Sequence, residues 1–121
     1  MDVHHPNLLR VMLQVRQWES RQLDVLQTFS GRELYLCLAA SLLEDAKPQS
    51  FKSLQGQMTE GATRQRIKAF EALGLIEVDS NQIDHRTKRA VPTKEFIRNL
   101  NQHLDLLMHL CEQEFVMISK K

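Results

Sequence analysis

A chain of 121 residues, 42% hydrophobic and 26% charged, is long enough to bury a core of its own and is expected to form one domain. That composition excludes a disordered tail, and no apolar run, including 34–43, is long enough to span a bilayer. The net charge of +1 gives no sign of a polyanionic partner, but its distribution is uneven. Residues 1–51 carry five Lys/Arg against six Asp/Glu, residues 95–121 three against four, and residues 52–94 eight against five. Met1-Asp2 opens without a basic n-region and apolar h-region, so a cytoplasmic chain without a secretory signal is expected. Cys37 and Cys111 have neither metal-ligand nor disulfide-framework spacing.

Leu8, Val11, Val15, Trp18, Gln22, Val25 and Phe29 follow a 3-4 alternation, which predicts an amphipathic helix over 8–29 with Asn7 as its N-cap. Ser30 and Glu33 form a capping box, with Phe29 and Leu34 as its staple. They start a second helix from Gly31 to about Asp45. That helix is apolar on most sides and is expected at the centre of the core. Lys47-Pro48-Gln49 ends it. Ser50 caps a short helix over 51–57 with Phe51 and Leu54 turned inward. After the Met58-Thr59 turn, Thr59 caps a helix over 60–72 whose buried stripe is Thr63, Ile67 and Phe70, with Leu73 at its end. Gly74 is its stop. The two helices make a helix-turn-helix unit over 50–74.

Leu75 to Val78 reads as a strand, 79–82 as a turn and Lys88 to Val91 as a returning strand. This hairpin, over 75–92, carries a tract from His85 to Lys94 with Arg86, Lys88, Arg89 and Lys94 and no acid. Alone, such a tract is most often a solvated loop. Thr93 caps a last helix over 94–118, with Ile97, Leu100, Leu104, Leu107, Cys111, Phe115 and Ile118 at helical spacing. At 1.5 Å per residue it extends about 37 Å, more than a small globule needs. The fold class expected is mainly α: a single domain, a winged helix-turn-helix with a two-stranded β wing and long terminal helices.

Two stretches carry a family resemblance. Thr63-Arg64-Gln65-Arg66-Ile67-Lys68-Ala69-Phe70-Glu71-Ala72-Leu73-Gly74-Leu75-Ile76 resembles the recognition helix of the MarR family of winged-helix regulators, with Phe70 where leucine is usual. Ile83-Asp84-His85-Arg86-Thr87-Lys88-Arg89-Ala90-Val91-Pro92-Thr93 is similar to its wing. Val78 stands where that family usually has arginine. The resemblance implies a transcription regulator that binds double-stranded DNA as a homodimer, recognition helix in the major groove and wing in the minor groove. It also leaves room for a small-molecule effector of unknown identity.

The chemistry supports the same candidates. With Thr63, Ile67 and Phe70 inward, Ala62, Arg64, Gln65 and Lys68 face outward, and Arg66 adds charge. Glutamine can bond adenine N6 and N7, and arginine can fork onto guanine O6 and N7. Gly61 and Ala62 are small enough for the helix end to approach a phosphate. The competing reading is that Arg64, Arg66 and Lys68 form the solvated face of an amphipathic helix. In the wing, the resemblance puts Arg86 in the minor groove, where a narrow groove attracts guanidinium. His85 lies beside it, and Lys88 and Arg89 are candidate phosphate contacts. Asp84 either supports Arg86 or terminates a turn.

The cysteines are expected to be structural thiols. His4-His5 could suggest a metal site but, near the terminus, are expected to be disordered, and His103 and His109 lack paired-ligand spacing. Met12, Trp18 and Met108 suit core or dimer packing, with an effector pocket as the alternative. No catalytic motif, metal site or cofactor is expected. Two rival functions remain: a winged-helix adaptor for protein contacts, and a replication or partition factor with the same DNA-binding surface.

Overall fold

The computed structural model describes residues 2–45, 47–80 and 88–119, without the side chains of Ser80 and 114–119. Its elements run α1 (Pro6–Gln22), a 3₁₀ turn (Asp24–Gln27), α2 (Phe29–Ser41), a second 3₁₀ turn (Leu42–Glu44), β1 (Gln49–Ser50), α3 (Phe51–Leu54), α4 (Glu60–Ala72), β2 (Ile76–Ser80), β3 (Lys88–Pro92) and α5 (Lys94–Ser119). The strands form one antiparallel sheet in the order β1-β3-β2.

The first helix stops seven residues before the apolar alternation does. Leu23 leaves helical backbone, and Leu23 and Leu26 turn into the core through the 3₁₀ turn. The residues buried there are not those of the alternation, whose Val25 is half-buried and Phe29 exposed. Pro6 rather than Asn7 begins α1, where its missing N–H costs nothing. The cap of α2 also lies two residues earlier than expected. Thr28 Oγ1 accepts from the Gly31 N–H at 3.0 Å, so Ser30 sits inside the helix and Phe29 is 63% exposed. Leu34, Tyr35 and Leu38 make α2 the central helix, but Leu36 faces solvent, as does Leu43 in the 3₁₀ turn after it, so the segment is apolar inward on one side only.

α4 forms where its local signals predict. Thr59 Oγ1 accepts from the Ala62 N–H at 3.1 Å, and Thr63, Ile67 and Phe70 are buried. Leu73 is exposed, and Gly74 takes a φ of 75°. The Leu75 and Gly74 amides then bond back to the Phe70 and Glu71 carbonyls at 2.9 and 3.0 Å, closing a Schellman motif that buries Leu75 against the helix it ends. Likewise Ser50 Oγ accepts from the Ser53 N–H at 3.1 Å to start α3, which is a single turn over 51–54 rather than 51–57.

The β2–β3 hairpin is the expected two-stranded wing, and the sheet adds a third strand to it. β1 pairs Gln49 with Ala90 and Ser50 with Arg89, so three strands tie the helix-turn-helix to the hairpin. Asp79 and Ser80, read as turn residues, belong to β2 and pair with Arg89 and Lys88. Thr93 joins the hairpin to α5: its hydroxyl donates to the Gly74 carbonyl at 2.6 Å and accepts from the Phe96 N–H at 3.2 Å.

α5 packs along α1, burying Phe96, His103 and Leu110 while leaving Ile97 (37%), Leu104 (50%) and Met108 (63%) exposed. The buried row is therefore not the predicted stripe, of which Ile97 and Leu104 are exposed and Leu100, Leu107 and Cys111 half-buried. Among the described residues, no helix is long and apolar enough to cross a membrane.

Candidate nucleic-acid interface

α4 is held by its inward row against α2 and the core cluster of Leu34, Leu38, Leu54 and Ile76. Its 3.6-residue period therefore fixes what faces out. Arg64, Gln65 and Lys68 are exposed, while Ala62 and Arg66 are half-buried, Ala62 packing against the core instead of presenting a free face. Arg64 Nη2 reaches Glu60 Oε1 at 2.8 Å one turn back, an exposed pair that is easily surrendered to a stronger anion. Gly61 lies in the first turn, and a Cβ built on it meets nothing within 4 Å.

Lys88 and Arg89 are exposed on β3, at the end of the hairpin away from α5. The alternation of β3 buries Ala90 and Pro92 and so frees Arg89 for solvent. Asp84, His85 and Arg86 lie outside the described residues. β1–β3 pairing ties the strand that carries Lys88 and Arg89 to the segment that leads into α3.

The sequence reading missed a buried polar chain that joins three helices. Glu19 on α1 is 4% exposed; its Oε1 receives Arg32 of α2 in an ion pair, and its Oε2 lies 2.9 Å from His103 Nε2 on α5. His103 Nδ1 is 2.9 Å from the hydroxyl of Tyr35 on α2, and the Trp18 ring stacks on the imidazole at 5.2 Å. A carboxylate only accepts, so Nε2–H donates to Glu19. Burial, and secondly the Glu19 charge, push the Tyr35 hydroxyl up to about 12, with Arg32 opposing. The one available signal was a glutamate beside the apolar row of α1. Trp18 is therefore a packing residue, while Met12 and Met108 are exposed. Cys37 and Cys111 are half-buried, and burial followed by the Glu33 charge pushes the Cys37 thiol up, away from the reactive thiolate. Among the described residues, no group of His, Cys, Asp or Glu could hold a metal ion.

A helix-turn-helix followed by a hairpin that shares its sheet defines the winged-helix class. Solved structures bear this out. The chain is similar to transcriptional regulator Tm0710 from Thermotoga maritima (TM-score 0.70, 15% identity, covering 92% of this chain and 74% of that one). It is also similar to MepR of S. aureus in its ethidium bromide complex (TM-score 0.62, 14% identity, 99% and 84%). A third is AbsC, a MarR family transcriptional regulator from Streptomyces coelicolor (TM-score 0.57, 16% identity, 98% and 82%). The chain is MarR-like in fold. No protein-family model matches it, and no curated protein matches its sequence.

Proposed function

We propose that this protein is a homodimeric regulator of transcription that binds double-stranded DNA, with α4 in the major groove and the hairpin against the minor groove. The observation that carries the reading is the outward row Arg64, Gln65 and Lys68 on a helix whose opposite row is locked into a winged-helix core. An α-helix fits the major groove, and glutamine and arginine are the side chains that read adenine and guanine edges there. Lys88 and Arg89 supply phosphate contacts, and Arg86, supported by Asp84 and flanked by His85, is the minor-groove residue. Arg66, half-buried, contributes charge more than base contact.

Dimerisation is supported by the apolar surface of the terminal helices. Leu8 (47%), Met12 (68%) and Leu13 (55%) on α1, with Leu104 and Met108 on α5, are too many large exposed side chains for a lone protomer. A two-fold pair of such faces would present two copies of α4 to a palindromic site. MepR was solved with ethidium bromide, and a small-molecule effector of this protein belongs to the same reading.

The test is duplex selection from a random pool, with affinity measured against salt. Log K should fall with log salt at a slope near −0.9 per neutralised phosphate, and light scattering should report a dimer. Absence of duplex binding at low salt would favour the protein-adaptor reading. Phe29 (63%) and Leu36 (53%), two turns apart on one side of α2, are the observation on its side.

A further inference from the structure

The terminal helices and the helix-turn-helix meet across a joint of two kinds. Part of it is apolar: the Phe96 ring lies 5.3 Å from that of Tyr35, and Leu23 and Leu26 fill the turn between α1 and α2. The remainder is the polar chain Arg32–Glu19–His103–Tyr35, whose members come from α1, α2 and α5. Glu19, Tyr35 and His103 are 4%, 3% and 9% exposed. Among the described residues, no buried side-chain nitrogen or oxygen lacks a partner.

Such a chain is a poor device for stability alone. Desolvation offsets most of what a buried ion pair gains, and apolar side chains of similar volume often serve as well or better. What it supplies is direction. Packed apolar helices can slide past one another in shear, whereas hydrogen bonds near 2.9 Å weaken steeply once bent. The imidazole is held at both nitrogens and on one face, by Glu19, Tyr35 and Trp18. His103 is therefore fixed in position and rotation, and with it the angle at which α2 leaves the α1–α5 pair. α2 in turn packs against α4.

We propose that Glu19, Tyr35 and His103 are positioning residues that set the angle of the helix-turn-helix on the terminal helices, and thereby the half-site spacing a dimer accepts. This rests on the dimeric DNA-binding reading above. One added base pair moves a half-site by about 3.4 Å and turns it by roughly 35°. A rigid joint must reject that displacement, and a sliding one can follow it.

The experiment measures affinity of the full chain for its selected duplex and for versions with the half-sites moved one or two base pairs apart or together. It compares the wild type with Tyr35→Phe and with the triple variant Glu19→Leu/Tyr35→Phe/His103→Leu. Melting and light scattering verify that each is folded and dimeric. The wild type should lose about tenfold or more per displaced base pair, as a mismatched contact would. The triple variant should bind its best duplex within about threefold of wild type while its range across spacings collapses to about threefold. Tyr35→Phe, which removes only a hydroxyl and endangers folding least, should flatten the profile partway and decides the matter if the triple variant does not fold. A variant with the wild-type profile, or one weakened equally at every spacing, overturns the proposal, because a merely structural role predicts that. A wild type that binds no duplex overturns the functional reading, and this inference with it.

Discussion

Gly61 is the position where stability and binding should part company. It occupies the first turn of α4 with an ordinary helical φ, is exposed, and has nothing within 4 Å of where a Cβ would be. No contact inside the protomer requires glycine there. Replacing glycine by alanine at a compatible helical site reduces the freedom of the unfolded chain and stabilises by about 0.4–1 kcal/mol. For a domain of this size that raises Tm by roughly 2–4 °C. In the proposed DNA complex the same methyl would stand between the first turn of α4 and a phosphate or groove wall, holding the helix end off by about the radius of a methyl group. Loss of one charge-assisted backbone bond corresponds to about 1.5–3 kcal/mol, or roughly tenfold or more in Kd. Gly61→Ala should therefore melt higher and bind its duplex more weakly, as read by calorimetry and by fluorescence anisotropy. A higher Tm with unchanged affinity would refute the close approach. A lower Tm would refute the claim that the site is open.

Tyr35 is the chain's one tyrosine, so phenolate absorbance should show a single transition near 12 in the folded protein, displaced from the ordinary value of about 10. Because folding raises this group's pKa, its contribution to stability is complete below about 10 and is lost as pH rises toward 12. Melts across that range should decline, and less steeply in Tyr35→Phe. Gly31→Ala should cost at least about 2 kcal/mol, read by urea unfolding, since its Cβ would lie 1.8 Å from the Val25 carbonyl oxygen. Gln65→Ala should relax base choice at one position per half-site by about 1–3 kcal/mol. Lys88→Ala should weaken all duplexes alike and lower the salt slope by roughly one unit per subunit.

The legible parts of this fold are those whose causes are local in sequence. Thr59, the Thr63–Ile67–Phe70 row and Gly74 each act within a turn or two, and α4 lies where they predict. Between Gln22 and Phe29 two local signals compete. Apolar periodicity favours continuation, and nothing nearby says that Leu23 and Leu26 are buried by a change of direction. Thr28 and Ser30 are both competent caps, and the choice follows from the approach of the Gly31 Cα to the Val25 carbonyl, which leaves no room for a side chain. β1 has two residues and no pattern of its own; its pairing with β3 makes it a strand. Glu19 and His103 are 84 positions apart, and each looks ordinary where it stands in the sequence. Of the candidate interface, the α4 row followed from helical spacing, while Ala62, read as facing outward, is half-buried with its small side chain against the core.

The acid in the first turn of α4 is the feature that a purely cationic interface would not need. Glu60 is exposed, lies at the positive end of the helix dipole and holds Arg64 at 2.8 Å. Such an exposed i,i+4 pair is worth only about 0.3–0.5 kcal/mol, so it constrains Arg64 without committing it. A phosphate brought to this turn must displace or tolerate the carboxylate, which lowers affinity for any duplex held by backbone contacts alone. A guanine edge within reach of Arg64 repays that loss through two parallel hydrogen bonds, which a phosphate-only encounter lacks. In the proposed complex the pair would therefore widen the gap between specific and non-specific binding more than it would alter either fold or peak affinity. A net charge of +1 is compatible with the proposed reading of DNA, because discrimination depends on which cations are released at the correct site and not on how many the surface carries.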